Sequence, residues 1–177
     1  MATIDEQNRK IKGKPELPSY DPIDPITQIN SEVFLGQGRV TLYGPFLSQL
    51  GITHVVSIGR APHDSVRTGP FYKFELQGAL DVEHENLAVY FPAIFKFMRE
   101  AIKNGGKILC HCEAGCSRSP TVIIAFLRAT GAFDSLQHAY DYVKAKRPWI
   151  NPNAGFIQQL REFFSEPLGV GGAQLPP

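Results

Sequence analysis

Residues 107–127 read KILCHCEAGCSRSPTVIIAFL: a short apolar run, a polar loop and a nearly all-apolar run, end to end. KILCH has the length and composition of a buried strand. TVIIAFLRAT is apolar on almost every side and predicts a buried helix, stopped by Gly131. The loop CEAGCSRS therefore joins a strand end to a helix start. A helix N-terminus offers unpaired N–H groups and the positive end of the dipole. A short loop relaxed by Gly115 can curl its amides around one anion there, and Pro120 suits the first helical turn, where no donor is lost. Cys112 then lies at the focus of the loop. Arg118, six residues on, aims a planar fork at two anion oxygens. The loop amides, the helix end and Arg118 all favour a negatively charged sulfur, and Ser119 is placed to hydrogen-bond it.

Outward from this stretch, strand-like and helix-like segments alternate. EVFLG and HVVSIG are short apolar runs of strand type, and FYKFEL alternates with period two. Residues 87–103 carry a helical apolar stripe through Leu87, Tyr90, Phe91, Ile94, Phe95, Met98, Ala101 and Ile102; Pro92 either starts that helix or kinks it. Asn104-Gly105-Gly106 ends it. Asp134 or Ser135 caps a helix that runs to the Arg147-Pro148 break. A last helix follows Pro152, with Phe156, Ile157, Leu160, Phe163 and Phe164 along one side. The expected fold is α/β, a central, mostly parallel sheet flanked by helices, with KILCH as a central strand. Residues 1–24, polar and proline-containing, read as an N-terminal arm, 25–166 as the folded domain, and 167–177 as a tail. The closing EPLGVGGAQLPP is expected to fray.

The 177 residues predict one domain with a substantial core, and 43% hydrophobic with 20% charged residues is a soluble, globular composition. A net charge of +1 argues against nucleic-acid binding by general basicity. No apolar run approaches the roughly 18 to 20 residues of a bilayer span, and MATIDEQNRKIKGK lacks the apolar core of a secretory signal. The three cysteines, odd in number and clustered, are no disulfide framework, so a reducing cytoplasmic or nuclear setting is expected.

HCEAGCSRSP, residues 111–120, fits the HCxxGxxR signature of the cysteine-dependent protein phosphatases, and with its flanks resembles the dual-specificity branch in a small form. DPITQINSEVFLG and LGITHVVSIG resemble that family's first strands. ALDVEHENLAVYF resembles its general-acid loop, and AYDYVKAKRPWINPNAGFIQQLREF its closing helices, so the likeness covers about residues 24–165. The resemblance implies a dual-specificity phosphatase-like fold and metal-free chemistry. It implies that Cys112 is the nucleophile of a cysteinyl-phosphate and that Arg118 binds phosphate and stabilises the transition state. The amides of Glu113, Ala114, Gly115, Cys116, Ser117 and Arg118 would line the cradle, and Asp81 would be general acid and then base. His111 and Ser119 would support the loop, and Asn151, Pro152 and Asn153 would form a turn that buttresses it.

Rival readings attach to the same residues. Cys110, Cys112 and Cys116 with His111 could form a zinc knuckle, although structural zinc sites pair two ligand sets across a gap. Cys110 reads as core filler. Cys116 shapes the pocket wall or bridges to Cys112 after oxidation. Glu83 and Glu85 are alternative acids. The loop carries no lysine, and Glu113, if it faces the pocket, disfavours highly anionic lipids, which points to a phosphorylated protein substrate. Phosphatases of lipid, glucan or RNA 5′-phosphate, and a non-catalytic phosphopeptide-binding module, are the alternatives. Arg60, His63, Arg67 and Lys73 border the mouth or are solvated surface.

Overall fold

The computed structural model describes residues 25–169; the expected arm 1–24 and residues 170–177 lie outside them. Five strands form one sheet: β1 Ile26–Gln28, β2 Val33–Gln37, β3 Ile52–Gly59, β4 Tyr72–Gln77 and β5 Lys107–Cys112. Their order is β1-β2-β5-β3-β4, with β1 antiparallel to β2 and the remaining pairs parallel. The strand carrying Cys112 is therefore central, as expected, and its end lies beside Gln37 of β2, while His111 stands beside Ser57 of β3.

The period-two rule sorts the side chains of β5 onto two faces. Ile108, Cys110 and Cys112 enter one hydrophobic cluster, while Leu109 enters the other. The first cluster is covered by four helices: α3 Phe91–Lys103, α4 Arg118–Ala129, α5 Leu136–Lys146 and α6 Ala154–Phe164. The second lies under a 3₁₀ turn at Gly38–Leu42 and two short helices, α1 Gly44–Gln49 and α2 Asp64–Arg67. Every residue of α4 from Ser119 to Leu127 is buried, which is why its sequence shows no polar face. Pro92 starts α3 and does not kink it, sitting in the first turn where its missing N–H costs nothing. Of the two candidate caps of α5, Ser135 accepts from His138 N at 3.2 Å, and Asp134 pairs with the His138 ring.

The expectation that the chain frays from Glu166 is corrected for residues 166–169. Leu168 is buried in the first cluster and its carbonyl accepts from Arg161 Nε at 3.1 Å. The Glu166 carboxylate pairs with Arg128 and accepts from Leu136 N at 2.7 Å, at the start of α5. Gly169 N donates to Gln137 Oε1 at 2.7 Å. One apolar side chain and one carboxylate at a helix N-terminus suffice to dock a segment whose glycines and prolines read as a tail.

Candidate active site

Residues 112–118 turn between the end of β5 and the start of α4. Gly115 takes φ +67, in the left-handed region that favours glycine, and a Cβ there would lie 2.6 Å from the Gly36 carbonyl oxygen and 2.9 Å from Arg147 Nη2. The loop is held from three sides. Gly38 N donates to Glu113 O at 3.0 Å, Arg147 Nε donates to Gly115 O at 3.0 Å, and Asn151 N donates to Cys116 O at 2.6 Å. Thr121 donates from both its amide and its hydroxyl to Ser117 O, starting the helix. At the base, the buried Cys112 Sγ accepts from the Ser119 hydroxyl at 3.2 Å.

Arg118 bends back over the end of β3. Its Nη1 donates to Ala79 O at 2.9 Å. A Cβ on Gly59, whose φ is +89, would come 2.0 Å from that same nitrogen, so the last residue of β3 leaves the slot in which the guanidinium lies. Nε of Arg118 is buried and has no hydrogen-bond acceptor. It approaches Asp81 Oδ2 at 3.7 Å, an ion-pair contact too long for a hydrogen bond.

Asp81 sits on a loop that α6 holds in place. Gln159 Oε1 accepts from Leu87 N at 2.8 Å and from Ala88 N at 3.0 Å, while its Nε2 donates to Glu85 O at 2.7 Å. A Cβ on Gly155 would come 1.9 Å from Glu83 O, so loop and helix touch backbone to backbone. Asp81 Oδ1 accepts from Ser117 Oγ at 2.7 Å and from Asn153 Nδ2 at 2.9 Å. Of the alternative carboxylates, Glu85 is occupied by Leu80 N at 2.9 Å; it is Asp81 that reaches Arg118. The expected buttress is present: Asn153 also caps α6, accepting from Phe156 N at 3.0 Å.

His111 points to the opposite face of β5 from Cys112 and meets Ser57 Oγ through Nε2 at 2.8 Å. Burial pushes its imidazole down to about 4, so the ring is neutral at pH 7. The four groups of the zinc reading do not converge, and among the described residues no cluster of three or more His, Cys, Asp or Glu side chains is placed to hold a metal. Cys110 is fully buried, its Sγ 3.9 Å from Ser119 O, and burial pushes its thiol well up. Partial burial also raises Cys116, whose Sγ donates to Ala114 O at 3.4 Å. The Glu113 side chain turns outward, accepting from Arg60 Nη1 through both oxygens at 3.0 and 3.1 Å.

Several contributors had no readable signal. Gly59, Gly155, Ser57 and Arg147 act through contacts 32 to 120 positions away in sequence, such as Arg147 Nε with Gly115 O and Arg147 Nη1 with Thr27 Oγ1 at 2.9 Å. The run RPWINPN marks a break but not a buried guanidinium.

The family model described as "Dual specificity phosphatase, catalytic domain" matches residues 33–166. Dual specificity protein phosphatase 5 of Homo sapiens is 34% identical over 170 residues, covering 93% of this chain and 43% of the relative. Dual specificity protein phosphatase 14 of Mus musculus is 33% identical over 162 residues, covering 91% and 80%. The chain thus spans less than half the length of the first of these relatives. Among solved structures, human DUSP28 aligns with a TM-score of 0.73 at 27% identity, covering 79% of this chain and 93% of that one. The human tyrosine phosphatase-like serine/threonine/tyrosine-interacting protein aligns at 0.72 and 31% identity, covering 79% and 95%.

Proposed function

The chain belongs to the dual specificity phosphatase family through its catalytic domain, and from that premise we propose that it hydrolyses phosphate monoesters on phosphoproteins, phosphotyrosine and phosphoserine or phosphothreonine among them. The observation that carries the reading is one buried donor without a hydrogen-bond acceptor, Arg118 Nε, whose charged neighbour is Asp81 at 3.7 Å. Arg118 starts the helix that follows a loop whose Cys112 sulfur already accepts a hydrogen bond from Ser119. A buried guanidinium N–H without an acceptor costs on the order of 1–3 kcal/mol, and an oxyanion bound in the loop would supply the acceptor.

In the proposed reaction, Cys112 Sγ attacks phosphorus and the bond to the ester oxygen breaks. Asp81 gives its proton to that oxygen, releasing the alcohol or phenol. The amides of residues 113–118 and the Arg118 fork hold the equatorial oxygens as charge spreads over them. Asp81, now a carboxylate, takes a proton from water, whose oxygen attacks the cysteinyl-phosphate. Sulfur leaves as thiolate, eased by the Ser119 hydroxyl, and inorganic phosphate departs. No metal enters this scheme.

Phosphoproteins are favoured over polyanionic lipids because the loop interior, Glu113 to Ser117, carries no lysine, while Glu113 itself turns outward to Arg60. Among the described residues no helix is long and apolar enough to cross a membrane. The three cysteines are free, which supports a reducing cytoplasmic or nuclear setting. The test compares wild type with Cys112→Ser on phosphopeptides, phosphoinositides and phosphoglucan in the presence of chelator. Phosphopeptide turnover by wild type, with binding but no turnover by Cys112→Ser, supports the reading. Preference for a non-protein ester, or binding without turnover by wild type, overturns it.

A further inference from the structure

The two oxygens of Asp81 are in different surroundings. Oδ1 accepts from Ser117 Oγ at 2.7 Å and from Asn153 Nδ2 at 2.9 Å. Ser117 Oγ itself accepts from Asn153 N at 3.2 Å, which commits its single proton to Asp81. Asn153 is held by a third bond, its Oδ1 accepting from Phe156 N at the start of α6. The amide orientation is thereby fixed, with its oxygen to the helix and its nitrogen to the carboxylate. Oδ2 accepts no hydrogen bond from a described residue; its neighbour is Arg118 Nε at 3.7 Å. The Asp81 side chain is 35% exposed, so solvent and substrate can reach it.

A carboxyl oxygen that accepts two hydrogen bonds can take a proton only by losing one of them. We propose that Asn153 and the Ser117 hydroxyl select the proton-bearing oxygen of Asp81, reserving Oδ1 as acceptor and leaving Oδ2, on the Arg118 side, to deliver and recover the proton. Asn153 is a positioning residue in this scheme, because it touches Asp81 and not the reacting atoms. The N-cap of α6 and the orientation of the acid are then one device: the residue that starts the helix also aims the carboxyl group. The inference rests on the phosphatase reading and on Asp81 as its acid.

The experiment uses two substrates that differ in how much they need an acid. The nitrophenolate of p-nitrophenyl phosphate leaves readily without a proton, whereas the phenol of a phosphotyrosine peptide leaves poorly. Asn153→Ser keeps a good helix cap but loses the Nδ2 donor; Asn153→Asp keeps the cap and the shape but turns the donor into an acceptor. Both variants are expected to lower kcat on the phosphotyrosine peptide about tenfold or more, with p-nitrophenyl phosphate changed by less than about threefold. KM should be nearly unchanged, and in an Asp81→Asn background Asn153→Ser should add nothing further. Full activity of Asn153→Asp would show a cap and nothing more, and equal losses on both substrates would show a damaged cradle; either overturns the inference. So would losses that add to those of Asp81→Asn. An inactive wild type brings down the phosphatase reading and this inference together, an outcome separate from the others because no variant is then needed to see it.

Discussion

Arg147, with none of its surface exposed, donates from Nε to the carbonyl of Gly115 at 3.0 Å while its guanidinium lies 4.8 Å from the Trp149 ring centroid. The chain leaving α5 thus holds the cradle loop at Gly115. The bond ties down the carbonyl of a residue whose backbone lies in the left-handed region that favours glycine.

Gly115→Ala is therefore expected to disturb the loop twice, by its positive φ and by a Cβ 2.6 Å from the Gly36 carbonyl. A loss of about 1–3 kcal/mol in stability should accompany loss of most turnover. Urea unfolding alongside phosphopeptide kinetics checks both, and an alanine variant with wild-type kcat would contradict the account of the cradle.

Arg118→Lys should reduce kcat/KM by about a hundredfold or more. An ammonium supplies a point charge but neither the Nε donor nor the fork that spans two oxygens. Inhibition by vanadate should weaken in parallel; equal vanadate affinity in the two proteins would place the oxyanion elsewhere.

Ser119→Ala removes the hydroxyl that donates to Cys112 Sγ at 3.2 Å. The expected fault is in the second chemical step, where sulfur must leave. Rapid-mixing kinetics should show a burst of released alcohol followed by steady turnover slowed about tenfold or more. A uniform slowing of both phases would assign Ser119 to packing.

His111 predicts an acid sensitivity of the fold. Its imidazole titrates near 6.5 when unfolded and is pushed down to about 4 in the native protein by burial beside Ser57. Above about pH 6.5 the neutral ring costs nothing. Between 6.5 and 4 the unfolded chain holds a proton that the native chain refuses, so stability falls with pH, by about 3 kcal/mol once pH is below 4. Denaturation of wild type and His111→Asn at pH 7 and pH 4.5 isolates the effect: the wild type should lose about 2–3 kcal/mol more than the variant. Equal losses would mean the ring is not the sensor.

The sequence of residues 107–127 carried the strand, the loop and the buried helix, because period, apolarity and a glycine at one offset are local properties that survive without a partner. It determined that Cys112 and Arg118 share one loop, that a helix follows Pro152, and that the sheet is mostly parallel, but it left open whether Pro92 starts a helix or kinks it. Asp81 came only through likeness to a family, since a lone aspartate looks the same on any loop. Tertiary structure alone decided that Asp81 meets Arg118 and not Glu85, that Asn153 caps a helix and grips the acid at once, that Gly59 and Gly155 leave room where a methyl would collide, and that Leu168 closes the core. These are contacts between residues far apart in sequence, fixed by the register of the sheet and the docking of α6, and no local pattern encodes a distance across a fold.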